Sequence, residues 1–139
     1  MSHQTLNCTW KNGMAFETDV SGHKILMDAD DSVGGEDNGP RPKPLMLASL
    51  AGCTGMDVIS ILKKMQQPYT YFNIDIEADM TEEHPKQYSS IKVIYEFKKS
   101  DNLDAKKVEK AVNLSQERYC GVSALLKKAI PVDYEIRYV

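Results

Sequence analysis

The chain has 139 residues and a mass of 15.6 kDa, the length of one ordinary domain, and its 42% hydrophobic and 27% charged content is globular rather than disordered, fibrous or membrane-embedded. A formal net charge of -3 and a pI near 5.6 argue against a general nucleic-acid binder, which carries a basic stripe. The three cysteines, Cys8, Cys53 and Cys120, are too few and too scattered for a secreted disulfide framework.

The first eight residues, Met1 to Cys8, have neither the basic start nor the apolar run of a secretory signal, which predicts a cytoplasmic protein. Leu6, Cys8 and Trp10 alternate with Thr5, Asn7 and Thr9 at the period of a half-buried strand, placing Cys8 on its core face. Lys11-Asn12-Gly13 reads as a hairpin turn, and residues 14–20 and 23–28 as two further strands, so the chain opens as a β-meander. From Asp28 to Pro44 the acids, glycines and prolines predict a long loop, either functional or a solvated linker.

Pro42 and Pro44 suit the first turn of a helix, and from Leu45 to Leu62 the sole charged residue is Asp57. The length fits a membrane span. However, Ser49, Gly52, Thr54, Gly55, Asp57 and Ser60 lower the hydrophobicity, and a buried central helix fits better. A helix apolar nearly all round needs cover on every side, more than so small a chain supplies, which points to a homodimer with this helix at its centre.

After Pro68 alternation returns. Phe72, Ile74, Ile76, Ala78 and Met80 face inward, as do Ile91, Val93, Tyr95 and Phe97, so a hairpin spans 70–99 around Glu82-Glu83-His84-Pro85. Val108, Ala111, Val112 and Ser115 share a helical face over 103–116, with Asp101-Asn102 as the expected caps. A shorter helix covers 121–129, and Val132, Tyr134, Ile136 and Tyr138 mark a last strand. The order β-β-β-α-β-β-α-α-β describes one α+β domain over 1–139.

Two glycines flank Cys53 in Leu50-Ala51-Gly52-Cys53-Thr54-Gly55-Met56-Asp57, although each costs a helix interior about 1 kcal/mol relative to alanine. Either a substrate or another packed element comes close there, and in the second case Cys53 is a small core group. Cys120, in Arg118-Tyr119-Cys120-Gly121, stands where a helix begins. Helix amides and nearby Arg118 favour thiolate there, so local physics nominates Cys120 as the more acidic thiol, whereas Asp57 disfavours a thiolate at Cys53 if it shares the pocket. No CxxC or HExxH spacing occurs, and His3, His23 and His84 lie far apart, so no metal or cofactor is expected.

The run from Pro40 to Gly55, Pro-Arg-Pro-Lys-Pro-Leu-Met-Leu-Ala-Ser-Leu-Ala-Gly-Cys-Thr-Gly, resembles the segment of the osmotically inducible protein C (OsmC) and organic hydroperoxide resistance family in which a proline-led helix carries the peroxide-attacking cysteine. Leu114 to Val122, Leu-Ser-Gln-Glu-Arg-Tyr-Cys-Gly-Val, resembles the second family segment, which holds the resolving cysteine. The resemblance implies antiparallel sheets wrapped around a long buried helix in an intertwined homodimer. It also implies a thiol-dependent peroxidase of the oxidative stress response. Cys53 attacks the peroxide, Cys120 closes a disulfide, and a small or lipoyl-type dithiol resets the pair. A pocket beside Leu50 and Met56 then favours organic hydroperoxides over hydrogen peroxide.

One departure stands out. Family hydroperoxidases carry an arginine in the N-terminal hairpin and a glutamate about three turns before the cysteine. Here no arginine precedes Arg41, and Lys43 or Pro44 stands at the glutamate's place. Arg41, Lys43, Lys11 and Arg118 are the candidate thiolate-stabilising cations, with Glu36 or Asp37 as the carboxylate. This pattern is closer to the divergent OsmC-like branch. The competing class is a non-enzymatic dimer that binds an apolar ligand or senses oxidants.

Overall fold

The computed structural model describes residues 2–139, which form two compact units, one ending at Met46 and one running from Leu47 to Val139. The first unit is the expected meander. Strands β1 (Cys8–Asn12), β2 (Ala15–Val20) and β3 (His23–Met27) pair antiparallel in chain order, with Trp10 opposite Phe16 and Phe16 opposite Met27. The first hairpin turns at Gly13-Met14, later than the expected Lys11-Asn12-Gly13 because Lys11 and Asn12 continue β1, with Gly13 at φ +50°. Every residue of β1 is exposed, Cys8 included, so the expected core position of Cys8 is corrected. Period-two alternation marks two faces but does not guarantee that a layer covers either one.

The segment after β3 is more ordered than its composition suggests. The buried Asp28 carboxylate accepts the amides of Ala29 (2.7 Å), Asn38 (3.2 Å) and Glu36 (3.3 Å), and these bonds hold its pKa below the usual carboxylate value. A 3-10 turn, Asp31–Val33, lies inside this loop. Gly35 passes so close to Ala29 that a Cβ would stand 2.0 Å from its carbonyl oxygen, so side chains are excluded there.

Helix α1 (Pro44–Lys64) belongs to the second unit from Leu47 onward and supplies there one fully buried stripe, Leu50, Thr54, Val58 and Leu62, at intervals of four. Its cover is a sheet of order β4-β5-β6, built from β4 (Phe72–Met80), β5 (Tyr88–Phe97) and β6 (Val132–Tyr138). The 70–99 hairpin forms as expected, with Phe72 opposite Phe97 and Ala78 opposite Ile91. The sheet is not wholly antiparallel, because β6 runs parallel to β5. A helical crossover joins these two strands, and such a connection returns the chain in the same direction. The helix is long and apolar enough to cross a membrane by composition, yet its buried stripe belongs to the core with Val93, Tyr95, Phe97, Val108, Ala111 and Val112.

Helix α2 (Ala105–Leu114) begins two residues later than expected. Asp104 caps it by accepting the amides of Lys106 and Lys107, whereas Asp101 instead accepts the Thr70 amide and hydroxyl at 2.7 Å each. The chain then widens into a π-helical turn, Ser115–Tyr119, before α3 (Gly121–Lys127). Such insertions are rare and cluster at functional sites.

Candidate thiol site

The π turn determines what faces the core. It buries Ser115 and Gln116 side by side and delivers Cys120 in extended backbone conformation as the N-cap of α3. The Cys120 amide donates to the Ser115 carbonyl at 2.8 Å, and the Ser123 amide donates to Cys120 Sγ at 3.3 Å. Cys120 is 2% exposed, while Cys53, half-buried on α1, packs against the same core cluster. Both are free thiols, and they are neighbours.

Cys120 is not the acidic thiol that its position predicts. Burial pushes it up to about 11 against the pull of the Ser123 amide, and the hydrogen bond and charge of Cys53 push further in the same direction. A helix of seven residues offers two favourable amides, those of Ser123 and Val122, and desolvation outweighs both. Asp57 Oδ2 accepts the Ser115 hydroxyl at 2.9 Å.

Beneath the thiols lies a polar chain. Thr54 Oγ1 is 2.5 Å from the Tyr95 hydroxyl and 2.7 Å from Ser115 Oγ. Gln116 Nε2 donates to the Tyr95 oxygen at 2.6 Å, and Gln116 Oε1 accepts from Ser123 Oγ at 2.7 Å. Lys127 Nζ donates to the Gln116 carbonyl at 2.9 Å. Among the described residues no buried side-chain polar atom lacks a partner. Burial raises the pKa of Tyr95 even though Thr54 and Gln116 oppose it, so the phenol is held as a donor. Sequence reasoning missed this chain. The available signal was polar interruption of apolar faces, at Thr54 in the α1 stripe and at Ser115 in the α2 stripe.

On the outer side of α1 an open groove of about 450 Å³ is lined by Ala51, Gly52, Gly55, Met56, Ile59 and three β4 residues, Phe72 to Ile74. Met56 lies in it, whereas Leu50, the other residue expected beside a substrate, is fully buried in the core stripe. The two glycines separate in role. A Cβ at Gly55 would stand 3.0 Å from Ile74 Cδ1, whereas one at Gly52 would meet nothing within 4 Å.

Each of the four expected cations is ion-paired or exposed. Arg41 bonds Asp37 at 2.6 Å and reaches Asp30 at 3.4 Å within the first unit, and Lys11 pairs with Glu17 at 3.8 Å. The pairing of Arg41 with Asp37 realises one of the expected carboxylate partners. Lys43 is exposed and has a partner of its own. Arg118 is exposed, with its guanidinium 5.9 Å from the Tyr119 ring centre. Among the described residues no three His, Cys, Asp or Glu side chains converge as a metal site.

Comparison with known proteins agrees with this architecture. The profile of the family described as OsmC-like protein matches residues 35–135. Protein YhfA of Escherichia coli K12 is 33% identical over 131 residues, 94% of each chain. The crystal structure of a hypothetical protein from Aquifex aeolicus VF5 is 30% identical and superposes with a TM-score of 0.83 over 100% of this chain and 99% of that one. An organic hydroperoxide resistance protein OsmC from Legionella pneumophila is 15% identical, with a TM-score of 0.67 over 99% and 98% of the two chains, and shares the fold. The chain belongs to the OsmC-like protein family.

Proposed function

We propose that this protein is a thiol-dependent peroxidase that reduces organic hydroperoxides through Cys53 and Cys120. The observation that carries the reading is the pairing of unlike thiols, a half-buried Cys53 beside a buried Cys120 that holds its proton. The Cys53 thiolate attacks one peroxide oxygen. The O–O bond breaks, Cys53 becomes a sulfenic acid, and the alkoxide takes a proton to leave as an alcohol. The Cys120 sulfur then forms the S–S bond, and its proton leaves with the sulfenic hydroxyl as water. A small dithiol, of lipoyl type, returns both sulfurs to thiols and is itself oxidised to a disulfide.

The apolar lining of the outer groove suits an alkyl hydroperoxide better than hydrogen peroxide. Two copies of the chain meeting across the outer face of α1 would cover Met56, which is 77% exposed in one chain, and a homodimer follows. A cytoplasmic location suits thiols kept reduced by a dithiol pool. A second reading draws on the same groove, whose lining includes no basic side chain: a non-enzymatic dimer that binds an apolar molecule.

The test is consumption of an alkyl hydroperoxide and of hydrogen peroxide under excess dithiol by the wild type, Cys53→Ser and Cys120→Ser. Turnover is expected in the wild type and none in Cys53→Ser, with a single oxidation to sulfenic acid in Cys120→Ser. Full activity in Cys53→Ser sinks the assignment. Absence of both turnover and a Cys53–Cys120 disulfide in the wild type leaves the binding reading.

A further inference from the structure

The buried polar chain has a fixed direction. A carboxylate accepts only, so Ser115 gives its proton to Asp57 Oδ2. Ser115 has one hydroxyl proton, so Thr54 donates to Ser115, and Tyr95 in turn donates to Thr54. The Tyr95 oxygen then receives the Gln116 amide, and the other end of that amide receives the Ser123 hydroxyl. The Ser115 hydroxyl also lies 3.5 Å from the Thr54 carbonyl, a second acceptor that likewise leaves Thr54 Oγ1 as donor to Ser115. The chain ends one residue pair from each sulfur: Thr54 follows Cys53, and the Ser123 amide bonds Cys120 Sγ.

Gln116 is the keystone of this arrangement. It is 3% exposed, uses both ends of its amide, and has its carbonyl held by Lys127. It thereby ties β5 to α3, and through Tyr95 and Thr54 ties both to α1. Nothing in the chemistry of peroxide cleavage uses this amide. A disulfide, however, tolerates little error, since the Cα atoms must lie within about 7 Å and the dihedral near 90°. Two thiols on separate elements meet that demand only when the elements are held in register.

We propose that Gln116 is a positioning residue that sets Cys120 for disulfide closure with Cys53, acting through Ser123 on α3 and through Tyr95 and Thr54 on α1. The inference rests on the pairing of Cys53 with Cys120 put forward above. It predicts a split between steps: oxidation of Cys53 is independent of Gln116, and closure onto Cys120 is not.

The experiment uses the full-length protein, wild type against Gln116→Met, which keeps the volume and removes both ends of the amide. Two oxidants separate the questions. An alkyl hydroperoxide reports Cys53 oxidation, followed as the dimedone adduct, and then closure, followed as the disulfide by mass spectrometry. Diamide closes the disulfide without peroxide, taking two electrons and two protons from the thiol pair as it becomes the hydrazine.

In Gln116→Met, closure is expected to slow at least about tenfold with both oxidants, while the rate of sulfenic acid formation stays within about twofold. Closure at the wild-type rate with diamide overturns the inference, whatever the peroxide does. Slowed closure by diamide in the variant, with no peroxide oxidation of Cys53 in the wild type, sinks the peroxidase reading and leaves the positioning role standing. Should Gln116→Met fail to fold, Ser123→Ala removes the Gln116 Oε1 contact alone, and a several-fold slowing is expected. Unchanged closure in Ser123→Ala then counts against the inference.

Discussion

The two faces of α1 are made of similar apolar residues and have opposite fates. The inner face, Leu50, Thr54, Val58 and Leu62, has no exposed surface, because β5 and α2 close over it. The outer face, with Gly52, Met56 and Ile59, forms the wall of an open groove. Cys53 lies at the boundary, backed by Cys120 and the polar chain. The difference teaches that the apolar character of this helix answers two separate demands. One is a core that a single chain completes, and the other is a surface that calls for a second copy or a ligand.

The contrast breaks most visibly in the core. Leu62→Ala removes a fully buried side chain and is expected to cost about 2–5 kcal/mol of stability, whereas Met56→Ala should cost the isolated chain less than about 1 kcal/mol. Urea melts at low protein concentration measure this. A large cost for Met56→Ala that grows with concentration shows the outer face buried by association. Equal costs at all concentrations erase the distinction between the two faces.

A second contrast concerns the protonated thiol on the inner side. The pKa of Cys120 lies at about 11 in the folded chain against a reference of 9.0. The folded state therefore holds this proton more tightly than the unfolded one. Its contribution is whole below about pH 9 and is lost as pH rises through about 11, with a slope of at most about 1.4 kcal/mol per pH unit. Stability curves of the reduced wild type and Cys120→Ala should converge over that window. Curves that stay parallel from pH 8 to 11 show that burial does not hold the proton.

The smallest effect distinguishes the glycines. In an isolated chain Gly52→Ala gains helix propensity without a clash, a stabilisation of about 1 kcal/mol, while at Gly55 the Ile74 contact offsets part of the same gain. A Gly52→Ala protein that is less stable, or that associates more weakly than the wild type by light scattering, places a packed element against that position.

Much of this architecture was legible in the order of residues. Alternation located β1, β4, β5 and β6, turn residues bounded β2 and β3, Pro42 and Pro44 announced α1, and the apolar stripe Val108, Ala111 and Val112 marked α2, because each signal is local. The segments around Cys53 and Cys120 carry the family resemblance in their residues alone. Local rules failed where two local choices competed: Asp101 and Asp104 are both competent caps, and packing assigned Asp101 to Thr70 instead.

What the tertiary structure alone decided depends on partners distant in sequence. Thr54 meets Tyr95 across 41 residues and Ser115 across 61, separations at which periodicity carries no information. The parallel direction of β6, the exposure of Cys8 and the reach of Arg41 to Asp30 have the same origin. Cys120 shows the principle most directly. Its sequence position promises an acidic thiol, and burial beside Cys53 makes it a protonated one, because desolvation is a property of the surrounding fold rather than of the neighbouring residues.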